Sequence, residues 1–171
     1  MPLCGVYPCE MRVVNILLCE WGHRLGTCTR PFGQQGFALK IHGNPISVAV
    51  SASTVSKTIV GVGKHGAPIQ YTRGEIVECA RLCSHPTHHY ATRLMLRLWR
   101  EVCAPLWPYW QARAAVSYSQ NAHHSGDIYR FDGWERIKTD CGSMGGGTWS
   151  RKRSASEAVH GQKSLWLWRY P

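Results

Sequence analysis

Apolar and polar residues alternate on both sides of His42-Gly43-Asn44-Pro45 within residues 36–53, GFALKIHGNPISVAVSAS. Alternation interrupted by turn-forming residues predicts a β-hairpin, because successive side chains of a strand point to opposite faces. Upstream, Met11–Cys19 (MRVVNILLC) is apolar enough for either a strand or a helix, and residues 20–36, rich in Gly, Arg and Thr, read as a loop or broken helix. Residues 56–71 contain Gly61, Gly63 and Gly66 and few apolar side chains, which predicts a mobile loop. Gly74–Cys83 (GEIVECARLC) reads as a strand at least half buried, and SHPTHHYAT as a turn. Helical spacing is clearest in Thr92–Cys103, where Leu94, Met95, Leu98, Trp99 and Val102 share a face and Arg93, Arg97 and Arg100 lie off it. Pro105 and Pro108 end that helix. A strand at Arg113–Ser119, a polar loop, a short helix at Asp127–Phe131, a strand at residues 134–138 and a final alternating strand, LWLWRY, complete the order.

The length of 171 residues suits one domain with its own core. With 44% hydrophobic and 18% charged residues, the chain is no disordered polymer. It has no apolar run long enough to cross a bilayer and no signal-peptide pattern, so a cytoplasmic location without membrane contact is expected. Eight cysteines, with no CxxC pair and Cys79 and Cys83 on one strand, are expected to be reduced and mostly buried. The charge of +10 favours an anionic partner, nucleic acid or a phosphorylated cofactor. Residues 1–74 already hold seven basic and two acidic side chains.

Tyr129-Arg-Phe-Asp-Gly133-Trp134 resembles the Y-x-x-x-G-(F/W) signature of the GNAT acyltransferases, with apolar Ile128 and small Ser125 in the matching positions. The resemblance covers residues 36–137 and, more loosely, the last strand. It implies an α/β GNAT-like fold: a central mixed, mostly antiparallel sheet, flanking helices and splayed central strands. It also implies acetyl-CoA or another acyl-CoA as cofactor. Leu82, Cys83 and the turn His88, His89, Tyr90, Ala91, Thr92 and Arg93 would then line the cofactor, with backbone amides at the helix N-terminus facing the pyrophosphate. No glycine of the usual Q/R-x-x-G-x-G/A turn occurs there. In this frame Tyr129 would protonate the leaving thiolate.

The segment VSYSQNAHHSGDIYRFDGW further resembles phage Mom-type DNA-modification proteins through Ser117, Tyr118, His124, Gly126, Ile128, Tyr129 and Trp134. Glu78 and Arg81 resemble that family's E-x-x-R strand, and His23 loosely matches its early histidine. The implied activity is acyl-CoA-dependent modification of adenine N6 in DNA, with Tyr129, Glu78, Arg81, Ser117, Gln120 and His23 as catalytic candidates. Iron is associated with that family; Gln120 stands here in place of its aspartate. The alternatives are an ordinary N-acetyltransferase for a small-molecule or protein amine and a non-catalytic nucleic-acid-binding protein on a GNAT scaffold.

From the residues themselves, Glu78 and Arg81 lie three apart on a strand and are expected on opposite faces. Glu78 could serve as base if burial raises its pKa. The pairs His88/His89 and His123/His124 could be base, phosphate contact or metal ligand. Trp149, Arg151, Lys152, Arg153 and Lys163 form a basic, aromatic-flanked stretch expected to bind DNA, since phosphates need positive charge and an extruded base needs a stacking surface. The oligomeric state stays open, a homodimer included.

Overall fold

A computed structural model of the protein describes residues 4–141 and 162–171. It contains β1 (Cys4–Cys9), α1 (Met11–Glu20), β2 (Gln34–Ile41), β3 (Asn44–Ala52), β4 (Thr58–Val62), β5 (Pro68–Thr72), β6 (Ile76–Ser84), α2 (Ala91–Leu98), β7 (Ala114–Gln120), α3 (Asp127–Phe131), β8 (Glu135–Lys138) and β9 (Lys163–Arg169). Seven strands make one sheet in the order β1-β2-β3-β6-β7-β9-β8, and β4 and β5 form a separate hairpin. Every pair in the large sheet is antiparallel except β6 with β7. The expected mixed, mostly antiparallel sheet is therefore present.

The β2–β3 turn is tighter than expected. His42 (φ 49°) and Gly43 (φ 84°) alone make it, and Ile41 pairs directly with Asn44. Two residues at positive φ match the twist of a two-residue hairpin. Met11–Glu20 is a helix, not a strand: Val14 and Leu18, four apart, are its fully buried residues and pack with Val48 and Val50 of β3. β1 was missed in the sequence because its burial follows no period-two pattern.

The loop expected at residues 56–71 is mostly the β4–β5 hairpin. Ile59 and Ile69 are buried against Ile137, Leu165 and Leu167, and together the hairpin and α1 cover one face of the sheet. Gly61 belongs to the packing, since a Cβ there would stand 2.6 Å from the Ile137 carbonyl. The glycines that suggested mobility hide a strand that packs unusually close.

α2 also departs from expectation. It begins at Ala91 and passes into a wider π turn over Trp99–Cys103. Its buried face is Ala91, Met95, Leu96, Trp99, Arg100 and Cys103, whereas Leu94 and Val102 are exposed. Arg100 is drawn inward by Asp132. That buried carboxylate accepts from Arg100 Nε at 2.5 Å, from Arg97 Nε at 3.0 Å and from Trp134 Nε1 at 3.0 Å. The arginine side chain also lies over the Trp168 ring, 3.8 Å from its centroid. Trp99 and Trp134 stack nearby, so α2 is locked to the α3–β8 turn by both charge and aromatic contact.

All eight cysteines are free. Cys28, Cys79 and Cys103 are buried, while Cys4 and Cys19 are exposed, so "mostly buried" holds only for part of the set. Among the described residues no helix is long and apolar enough to cross a membrane.

Candidate functional site

The β6–β7 ladder contains Ile76–Ala114, Val77–Ala115, Glu78–Val116 and Cys79–Ser117, and then stops. Both strands continue, β6 to Ser84 and β7 to Gln120, without pairing to each other. The two strands expected to be neighbours and to splay do both. Their V opens into a cleft of about 1500 Å³. Beyond Cys79, the β6 edge that faces β7 has no ladder partner there, so its backbone polar groups are offered to whatever enters.

Tyr129 stands at the apex of the V. Its hydroxyl is 2.8 Å from Ser117 Oγ, and Ser117 Oγ donates in turn to the Cys79 carbonyl at 3.1 Å. A serine has one proton, so Tyr129 is the donor of the first bond. The tyrosine ring stacks on Trp166 at 5.5 Å and meets Trp134 edge-on at 5.6 Å. Burial pushes its hydroxyl pKa upward, which keeps the phenol protonated. Gly126 makes this seat possible. It has φ +79°, and a Cβ there would lie 2.2 Å from the Trp166 ring.

On the opposite face of β6 the carboxylate of Glu78 is buried and paired with Arg30 Nη2 at 2.7 Å. Burial raises its pKa; Arg30, Arg81 and Lys163 oppose that rise without cancelling it. Glu78 and Arg81 share this face, contrary to the expectation for a regular strand. Arg81 pairs with Val50 and Cys79 with Ser51, leaving Ala80 as an extra residue in the β3–β6 register. One inserted residue reverses the alternation beyond it. Ala80 therefore packs with Val14, Leu18 and Cys28 of this face, and Arg81 follows it. Arg81 donates to the carbonyls of Leu25, Gly26, Thr27 and Ala80, which pins the loop after α1 against the strand.

That loop carries His23. Leu25 N–H donates to His23 Nδ1 at 3.3 Å, which leaves the ring proton on Nε2. Burial first, then the charge of Arg81, lowers its pKa to about 4, so the imidazole is neutral at pH 7. His124 also has a lowered pKa, through burial and then Arg24 and His123. Gln120, at the end of β7, has a buried Oε1 with no hydrogen-bond partner.

All six catalytic candidates, Tyr129, Glu78, Arg81, Ser117, Gln120 and His23, line the one cleft. So do Leu82, Cys83, His89, Tyr90, Thr92, Arg93 and Ser125. His88 does not; its ring packs between His85 and Tyr90. Ala91 faces the core. The Thr92 amide is already bonded to the His89 carbonyl at 3.2 Å, so it is not free for a pyrophosphate as expected. Ser125 Oγ donates to the Asp127 carboxylate at 2.7 Å at the start of α3. Lys163 lines the cleft; Trp149, Arg151, Lys152 and Arg153 lie outside the described residues. Among the described residues no group of three or more His, Cys, Asp and Glu side chains could hold a metal, so the residues do not fit an iron site. Arg30, Arg24 and Tyr118 also line the cleft and escaped sequence reasoning, since no local spacing ties residue 30 to residue 78.

No family model matches the chain, and no curated protein matches it in sequence. Solved structures do match in three dimensions. An acetyltransferase from Bacillus subtilis in complex with CoA aligns over 98% of this chain and 99% of its own, with TM-score 0.57 and 9% identity. A GNAT-family acetyltransferase from Elizabethkingia anophelis with acetyl-CoA bound aligns over 99% and 100%, with TM-score 0.52 and 7% identity. The ribosomal-protein-S18-alanine N-acetyltransferase of Escherichia coli aligns over 96% and 90%, with TM-score 0.55 and 7% identity. The shared feature is the fold, that of the GNAT acetyltransferases.

Proposed function

We propose that the protein is an acyl-CoA-dependent N-acyltransferase and that its acceptor is an amine of a DNA base. One observation carries the transferase reading. The β6–β7 ladder ends at Cys79–Ser117 with a protonated phenol, Tyr129, on one face and a carboxylate, Glu78, on the other. A gap between strands with an acid on one side and a base on the other suits transfer of an acyl group through the gap.

The residues fit the cofactor at two places. The edge of β6 beyond Cys79, which has no ladder partner on the β7 side, offers backbone groups to the amides of a pantetheine arm. Arg93 and the first turn of α2 offer positive charge to its phosphates. Bound acyl-CoA would supply the activated acyl carbon and the thiolate that leaves. Glu78 takes the N–H proton of the amine, directly or through a water, as the new N–C bond forms. Tyr129 gives its phenolic proton to the sulfur as the C–S bond breaks, and solvent returns a proton to Tyr129 while taking one from Glu78. Arg30 holds Glu78 in place and opposes the rise in its pKa that burial imposes. Ser117 aims the phenol at the apex of the V.

The acceptor assignment rests on charge. Arg24, Arg30, Arg81, Arg93 and Lys163 line the cleft against Glu78 and Asp127. Such a surface attracts a polyanion, and a base would have to be extruded or single-stranded to reach Glu78. Mass spectrometry of nucleosides from DNA incubated with the protein and acetyl-CoA tests the reading. An acylated base is the expected product. Release of free CoA with acetylated small amines and unmodified DNA would replace the acceptor with a small molecule. No CoA release with any amine would sink the transferase.

A further inference from the structure

The α1 face of the cleft carries more positive charge than its own carboxylate can neutralise. Arg30 is committed to Glu78. Arg81 spends four bonds on backbone carbonyls, which accept hydrogen bonds but carry no charge to compensate its own. Arg24 is exposed and lines the same cleft, and Lys163 is half-buried at the start of β9. These groups sit within one another's fields. The ammonium of Lys163 feels Glu78, Arg81 and Arg24, and His23 feels Arg81 and Arg24. His23 and His124, which could have added charge, are held neutral. Neither Arg24 nor Lys163 has a carboxylate partner among the described residues. A half-buried cation such as Lys163 is costly unless an anion joins it, and the exposed Arg24 adds its charge at the same cleft.

A second feature is independent of charge. Gln120 is 9% exposed, lines the same cleft, and its buried Oε1 lacks a donor. A buried acceptor in that condition takes its donor from what occupies the cleft, a water or a ligand N–H.

We infer that this face is an acceptor subsite for an amine that also carries a phosphate. Arg24, Lys163 and the remaining N–H of Arg81 take the phosphate, and Gln120 Oε1 takes an amine N–H. The inference rests on the transferase reading only for the word acceptor; the phosphate site stands or falls separately. The phosphate can belong to a free mononucleotide or to one link of a DNA strand.

The test is calorimetric titration of the full chain with deoxyadenosine, deoxyadenosine 5′-monophosphate and a short single-stranded oligodeoxynucleotide, with CoA present. The monophosphate is expected to bind at least about tenfold more tightly than the nucleoside, as a charge-assisted contact supplies. The double substitution Arg24→Ser, Lys163→Gln should erase that ratio and leave nucleoside binding unchanged. Gln120→Leu should weaken the nucleoside and monophosphate alike, keeping the ratio. An oligonucleotide that binds more tightly than the monophosphate, with a steeper salt dependence, identifies the strand as the source; equal affinities identify the mononucleotide. Three results overturn the subsite: no binding by either phosphate ligand, equal binding of nucleoside and monophosphate, or a ratio that survives the double substitution. A ratio that disappears with Arg93→Glu instead would move the phosphate to the CoA side and also overturn it. CoA binding is read in the same samples. Its failure alone would sink the transferase and leave the phosphate subsite intact.

Discussion

Tyr129→Phe is the substitution in which fold and chemistry separate most cleanly. It removes one oxygen and keeps the ring, which remains stacked on Trp166 and edge-on to Trp134. The phenol donates to Ser117 Oγ at 2.8 Å, and Ser117 keeps its own donation to the Cys79 carbonyl. The fold therefore loses a single hydrogen bond and strands no donor. A loss of about 1 kcal/mol is expected. For a chain of this size that lowers the Tm by about 2–4 °C. Catalysis should respond on another scale. If the phenol protonates the departing sulfur, kcat should fall roughly 10²–10⁴-fold while KM for acetyl-CoA stays near its original value. The assay is thiol release from acetyl-CoA monitored with a chromogenic disulfide, with DNA as acceptor and product confirmed by nucleoside mass spectrometry. Ser117→Ala is the companion: it frees the phenol from its hydrogen bond to Ser117 and should lower kcat less than Tyr129→Phe. A Tyr129→Phe protein with unchanged kcat would refute the acid role outright. A rise in KM with kcat unchanged would refute it too, since that pattern belongs to a group that only binds.

Gly126→Ala should destabilise by about 3 kcal/mol or more, from a left-handed backbone and a Cβ forced against Trp166, and a thermal melt within 2 °C of the parent would contradict that geometry. Arg30→Met strands the buried Glu78 charge and should cost about 3–5 kcal/mol at neutral pH. Because burial raises the Glu78 pKa above its unfolded value, that variant should lose stability as pH rises from the ordinary carboxylate range, and adding Glu78→Gln should restore most of it; urea midpoints flat with pH would count against the pair. His23 has its pKa lowered to about 4, so the unfolded chain binds its proton first. Stability should be whole above about pH 6.5 and decline by up to about 3 kcal/mol as pH falls to 4, a decline that His23→Gln should reduce in denaturant titrations.

The sequence displays what local chemistry decides. The hairpin around His42-Gly43, the strand of Glu78 and the Tyr129-to-Trp134 turn all follow from patterns a few residues long. Each puts its functional side chain where the fold needs it. Contacts that close across the sheet were hidden. Arg30 meets Glu78 over forty-eight residues, and Asp132 captures Arg100 over thirty-two. The Ala80 bulge is invisible as well, because an extra residue is defined by the register of its partner β3, not by its own strand. The β4–β5 hairpin was lost for a related reason. Its glycines serve a close approach to Ile137, and glycine in isolation reads as freedom.

Because the β6–β7 ladder has only four residue pairs, the sheet consists of two leaves, β1-β2-β3-β6 and β7-β9-β8, riveted along one short seam. Behind the seam the leaves are braced once more, by the Trp99–Trp134 stack and the Arg100–Asp132 pair. In front nothing in the ladder ties them. A slender ligand threaded between residues 80–84 and 118–120 would act as the missing rungs and join the leaves into one stiff plate. Amide hydrogens on those two open edges should then exchange freely in the empty protein and become protected when it is filled, while the seam is protected in both. Occupancy of the cleft would be legible as the rigidity of the whole sheet.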